Sequence, residues 1–97
     1  MPAFVFVEIN IIDHKLYEEY KKLTPKTVAD FGGKFIVRGG KTEVLEGDPS
    51  HNRMVLLEFP STDRAQAWWN SQEYTRARLI RQRAATTRMI LLEGSSE

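Results

Sequence analysis

Two glutamates and one arginine, Glu8, Glu58 and Arg38, interrupt runs of apolar and β-branched residues. A charge in mid-strand is costly unless something compensates it, so these positions are where chemistry is first sought. Strand alternation puts Glu8 on one face with Phe4 and Phe6, and Glu58 on one face with Met54 and Leu56. If those faces coincide and Arg38 joins them, a Glu8–Arg38–Glu58 cluster forms on the side of the sheet away from the helices. Burial or mutual repulsion can bring a carboxyl group of such a cluster into general acid/base use, which makes Glu8 and Glu58 the catalytic candidates. The plainer reading is a charge network that fixes strand register or a dimer interface.

Aromatic residues make the second constellation: Tyr17, Tyr20, Trp68, Trp69 and Tyr74. Helical spacing and the need to cover a sheet explain most of them as core. Adjacent Trp68 and Trp69 cannot face the same way, so one is free to line a cleft or a subunit contact. Pockets are mostly apolar with a few convergent polar groups, and tyrosine hydroxyls near Arg38 would suit a polar or anionic ligand. The ligand-binding candidates are therefore Arg38, Tyr17, Tyr20, Trp68 and Tyr74.

Other chemistries find little support. The chain has no cysteine, hence no disulfide framework and no thiolate nucleophile or ligand. Its two histidines, His14 at a helix start and His51 in a turn, suggest neither a metal site nor a serine triad. No spacing calls for a metal or a cofactor. Arg76, Arg78, Arg81, Arg83 and Arg88 are dense, but Arg76 and Arg83 share one helix face and Arg78 and Arg81 another. That dispersal reads as a solvated helix, with at most one arginine turned toward a dimer contact. Net charge is +1, the 53–59 strand lacks an aromatic stacking platform, and Gly32-Gly33 follows a helix instead of opening one. Nucleic acid is not an expected partner.

The elements that must hold these residues follow from pattern. Phe4 to Ile12 reads as a strand apolar on both faces at its start, so something must cover the second face. Asp13 caps a helix carrying Leu16, Tyr17, Tyr20 and Leu23. Thr24-Pro25 interrupts it, Thr24 capping a second segment through Phe31 before Gly32-Gly33 stops it. Lys34 to Arg38 is a second strand, Gly39-Gly40 a bend or bulge, and Thr42 to Glu46 an extended arm or the second half of a bent strand. Residues 47–50 turn, and Asn52 to Phe59 is the third strand. Ser61 or Thr62 caps the next helix, Asn70-Ser71 breaks it, and Ser71 caps a further segment toward Ala84. Thr86 to Glu93 is the last strand. The order β-α-β-β-α-β is the split unit that packs two helices on one face of a four-stranded antiparallel sheet, an α+β ferredoxin-like fold spanning 1–97 as one domain. Ninety-seven residues bury a modest core, and a second subunit is the cheapest cover for the Phe4 and Phe6 face. The expected partner is thus a second copy, through facing sheets. The first residues carry no signal-like segment and no run is long enough to cross a bilayer, so neither export nor membrane insertion is expected.

The segments Phe31–Gly40, Leu45-Glu46-Gly47, Glu58-Phe59-Pro60-Ser61 and Trp68-Trp69-Asn70-Ser71-Gln72-Glu73-Tyr74, with Tyr17 and Tyr20, occur in an order that closely resembles the family called domain of unknown function 1330. The resemblance spans nearly the whole chain. It implies a dimeric α/β barrel made of two ferredoxin-like protomers with facing sheets, in cytoplasmic bacterial proteins without an established activity. It implies no site residues. Dimeric α/β barrels include cofactor-independent monooxygenases, lactone isomerases and haem-degrading enzymes, a likeness of fold alone. The haem-degrading pattern calls for a first-strand asparagine, a tryptophan and a helix histidine. Asn10 and Trp68 could fill two places, but residues 61–88 hold no histidine, which speaks against haem. Two functions stay open: binding or transforming a small polar or anionic metabolite in a cleft between sheet and helices, or a non-catalytic dimeric structural or partner-binding module.

Overall fold

The computed structural model describes residues 1–50 and 52–95. Seven elements follow one another: β1 (Ala3–Ile11), α1 (His14–Asp30), β2 (Lys34–Arg38), β3 (Arg53–Phe59), α2 (Thr62–Asn70), α3 (Gln72–Ala84) and β4 (Ala85–Glu93). The strands form one antiparallel sheet in the order β2-β3-β1-β4. This is the ferredoxin-like arrangement expected from the sequence, with the second helix of the motif split into α2 and α3. His51 lies outside the described residues.

Alternation decides which face is core. Ala3, Val5, Val7 and Ile9 of β1 are buried, as are Val55, Leu57 and Phe59 of β3. They pack against Tyr17, Tyr20 and Val28 of α1, Ala65 and Trp68 of α2, and Tyr74, Ala77 and Ala84 of α3. Trp68, Tyr74, Phe59, Ile9, Leu57 and Val28 are the largest fully buried side chains. Burial of each aliphatic or Phe side chain among them contributes about 1.5–3 kcal/mol.

The capping residues act as expected. Asp13 accepts from Leu16 N at 3.0 Å, Ser61 from Arg64 N at 3.1 Å and Ser71 from Tyr74 N at 3.2 Å. At the end of α1, Gly32 takes φ +78°, and Gly33 N closes the last turn on Val28 O at 2.9 Å.

Two local expectations need correction. Thr24-Pro25 does not interrupt α1, which runs through it as one helix. The buried stripe is Tyr17, Tyr20, Thr24, Thr27 and Val28, while Leu23 is exposed. The threonines are tolerated because each turns its hydroxyl back onto the helix. Thr24 Oγ1 donates to Tyr20 O and Thr27 Oγ1 to Thr24 O, both at 2.7 Å. Of the two readings of residues 42–46, the second half of a bent strand is wrong: they form no strand and belong to the connection between β2 and β3. Gly39 starts that connection at φ +67°.

Candidate functional site

The expected Glu8–Arg38–Glu58 cluster does not form. Glu8 stands opposite Met54, and Phe4 stands opposite Glu58, so both carboxylates are on the outer face of the sheet. They are four residues apart along the ladder, about 13 Å. Each has its own partner: Asn52 Nδ2 donates to Glu8 Oε2 at 2.8 Å, and Lys34 Nζ lies 3.8 Å from Glu58 Oε2.

Arg38 is on the opposite face. The β2–β3 register runs Lys34 with Glu58 and Phe35 with Leu57, then slips one residue, so Val37 meets Leu56 and Arg38 meets Val55. Unbroken alternation from Lys34 would keep Arg38 on the outer side. The extra residue, Ile36, reverses the phase and sends Arg38 to the helix side. There Arg38 Nη2 donates to Lys21 O at 3.1 Å, and its Cζ stands 4.4 Å from the Phe35 ring centroid. In an unbroken helix the N–H of residue 25 would bond to Lys21 O; a proline has none. Pro25 therefore leaves a carbonyl for Arg38 to bind.

Arg38 stands at one lip of a cleft between α1 and the β2–β3 side of the sheet. Tyr17, Tyr20, Thr24 and Lys21 of α1 line one wall, Phe35, Arg53, Val55 and Leu57 the other, with Trp68 and Met89 at the bottom. The inner space is about 20 Å³, room for little more than a water-sized group. It shares Ile9, Tyr17, Lys21 and Arg53 with a wider, more polar groove of about 580 Å³ bordered by Asn10, His14, Thr42 and Asn52. Four of the five ligand candidates, Arg38, Tyr17, Tyr20 and Trp68, thus line one space. Tyr74 stands behind them, its hydroxyl 2.9 Å from that of Tyr20 and its ring against Trp68.

The back of the cleft is a rigid aromatic and hydroxyl lattice. Ring centroids lie 5.5 Å apart for Tyr17 and Tyr20, and 4.0 Å apart for Trp68 and Tyr74. Trp68 Nε1 donates to Thr27 Oγ1 at 3.1 Å. Trp69 turns the other way, its ring under the Arg78 guanidinium at 4.2 Å. Burial, then the neighbouring Tyr20, raise the Tyr17 hydroxyl above the usual tyrosine range, with Arg53 opposing. Burial and then Tyr74 push Tyr20 higher still. Both phenols are held neutral, able to donate hydrogen bonds.

Two arginines in this region escaped the sequence reading. Arg53 opens β3 on its buried face, and its guanidinium packs against Gly39, where a Cβ would displace it. Its Cζ is 5.9 Å from the Tyr17 ring centroid, and its Nε is buried with no hydrogen-bond partner. The signal was present, because alternation back from Phe59, Leu57 and Val55 puts residue 53 on the core side. Arg81, read as part of a solvated helix, is only 4% exposed. It faces Tyr20 across the α1–α3 contact with Cζ 5.8 Å from the ring centroid, and its Nε also lacks a partner. Its spacing from Tyr74, Ala77 and Ala84 marks the buried stripe of α3. None of the ion pairs among the described residues involves Arg38, Arg53 or Arg81. Among the described residues, no group of three His, Asp or Glu side chains could hold a metal ion, and no helix is long and apolar enough to cross a membrane.

The profile of the family described as Domain of unknown function (DUF1330) matches residues 2–95. No curated protein matches the chain. Among solved structures, a protein of unknown function from Rhodopseudomonas palustris superposes with TM-score 0.78 at 21% identity, covering 99% of this chain and 84% of that one. A cofactor-independent oxygenase from Streptomyces nogalater superposes with TM-score 0.62 at 11% identity, covering 99% and 95%. A dimeric protein of unknown function with a ferredoxin-like fold, from Bacteroides fragilis, gives TM-score 0.57 at 10% identity, covering 96% of each. At these identities the likeness is one of fold.

Proposed function

The chain belongs to the DUF1330 family, and from that premise we propose that it binds a small anionic metabolite in the cleft between α1 and the sheet. One observation carries this reading. Two guanidinium groups, Arg38 and Arg53, stand at a mostly apolar cleft, and neither has a carboxylate partner among the described residues. Arg38 is exposed at the lip, whereas Arg53 is half-buried with its Nε unpaired; a cation partly withdrawn from water without a counter-ion is unfavourable, and an anionic ligand held between them supplies the missing charge. The neutral hydroxyl of Tyr17 adds a donor, so the donor set fits a ligand that only accepts. Glu8 and Glu58, on the other side of the sheet, have no part in this cleft.

The working unit in this proposal is a homodimer through facing sheets. On the outer face Phe6 stands between Leu56 and Ile90 on the neighbouring strands. Glu8 beside Arg88 bounds this patch at one end, and Glu58 beside Lys34 at the other. An apolar centre with charges of both signs at its ends suits a self-complementary contact, in which Glu8 and Glu58 set register. The dimeric neighbour supports this by fold analogy only.

Titration calorimetry with acetate, sulfate and phosphate tests the reading. At least one anion should bind the wild type and lose tenfold or more in affinity in Arg38→Ala or Arg53→Ala. Absence of binding, or binding indifferent to both substitutions, would leave the non-catalytic dimeric module as the better account.

A further inference from the structure

The cleft does not end at its floor. On the far side of Trp68 and Met89 lies a second space of about 190 Å³ beneath α2, walled by Val5, Ala65, Trp69 and Leu91. Trp68 and Met89 line both spaces and so form the partition between them. The two sides differ in chemistry. Arg38, Arg53 and Lys21 are on the cleft side of the partition and none is on the far side, where Gln66 supplies the polar side chain. Trp68 is fixed, 1% exposed and hydrogen-bonded to Thr27. Met89 stands opposite Val7 on the core side of β4 and is only partly buried. An unbranched thioether with three rotatable bonds is the movable half of such a wall.

Resting on the anion reading above, we propose that the ligand is a carboxylate with a short apolar tail, and that Met89 sets the length of that tail. The shape and polarity of the cleft favour a carboxylate, a small planar head that carries an apolar tail directly. Lys21 already shares its ammonium with Glu18 at 3.4 Å, and Arg38 commits Nη2 to Lys21 O, which leaves the Arg53 guanidinium and the remaining N–H groups of Arg38 for the planar head. The cleft interior beyond those groups is apolar, so the ligand must present an apolar end to it. The inner 20 Å³ admits one or two carbons before the floor is reached. A longer tail has to displace Met89 and enter the 190 Å³ space behind it.

Affinities of phosphate, acetate, propionate and hexanoate for the wild type and for Met89→Ala, read from tryptophan fluorescence and checked by calorimetry, test this. Met89→Leu serves as a volume-conserving control, and circular dichroism establishes that each variant is folded. In the wild type propionate should bind best and hexanoate at least fivefold more weakly. In Met89→Ala hexanoate should overtake propionate, gaining up to about fourfold per buried methylene. Met89→Leu should keep the wild-type order. Phosphate binding as tightly as propionate overturns the carboxylate assignment while sparing the anion reading, and the same tail preference in Met89→Ala and wild type overturns the role of Met89. No binding of any of the four anions sinks both readings together.

Discussion

Arg38 Nη2 donates to the carbonyl oxygen of Lys21 at 3.1 Å, the acceptor that Pro25, four residues on, cannot bond. A defect in helix α1 thereby holds a cation at the lip of the cleft. The helix carries a proline whose cost in a helix interior is about 3 kcal/mol. A side chain from the neighbouring strand meets part of the resulting need.

Pro25→Ala should therefore separate stability from binding. Restoring the N–H to Lys21 O should raise stability by about 1–3 kcal/mol. Arg38 then has to compete for its acceptor, and anion affinity should fall severalfold. Thermal melts beside anion titrations check both halves; a variant that is more stable and binds as before would detach Arg38 from the site.

The tyrosines give the protein an alkaline limit. Tyr17 and Tyr20 are both raised above the ordinary value of 10.0 in the folded state. Between the unfolded and folded values the unfolded chain holds fewer protons, so stability falls as pH rises there. The contribution of both residues is complete below about pH 10 and lost above it. In a spectrophotometric titration, Tyr20 should ionise only as the fold opens, with tyrosinate absorbance and loss of near-ultraviolet dichroism rising together. Ionisation of Tyr17 and Tyr20 near pH 10.0 in a chain that stays folded would contradict their buried placement.

Phe6→Asp probes the sheet face. The new carboxylate would stand between Leu56 and Ile90 and against the proposed partner. Sedimentation should show a monomer, or a dimer weakened at least a hundredfold. An unchanged, equally stable dimer would place the interface elsewhere.

Arg81 tests what a buried guanidinium contributes to the fold. It has no carboxylate partner among the described residues, and its Nε is unpaired. Arg81→Met keeps most of the volume and removes the desolvation cost, so stability should rise by about 1 kcal/mol or more. Chemical denaturation reads this directly. A large loss of stability would mean that Arg81 is compensated within the helix pair, through the Tyr20 ring and the α3 carboxyl end.

What the sequence disclosed and what it hid have physical causes. Apolar alternation in β1 and β3 and the caps Asp13, Ser61 and Ser71 are local signals, and the elements formed where those signals fell. The aromatic wall of the cleft was legible because Tyr17, Tyr20, Trp68 and Tyr74 recur at helical spacing. The place of Arg38 was not, because one extra residue at Ile36 reverses the facing of all that follows, and nothing in Lys34–Arg38 announces it. Pro25 misled for a related reason. The penalty that ends many helices is offset here by Tyr20, Thr24, Val28 and the rest of a long buried stripe. Arg53 and Arg81 stood in plain view on buried faces, but arginine is so seldom buried that pattern reading assigns it to solvent.

The most direct test of the central claim is a two-dimensional ¹⁵N NMR titration of the wild-type protein with propionate, following backbone amides and the two tryptophan indoles. The account expects shifts concentrated at Lys21, Arg38, Arg53 and the Trp68 indole, with Glu8, Glu58 and the rest of the outer face unmoved. Shifts scattered over exposed lysines, or confined to the outer face around Glu8 and Arg88, would contradict an anion site between α1 and the sheet.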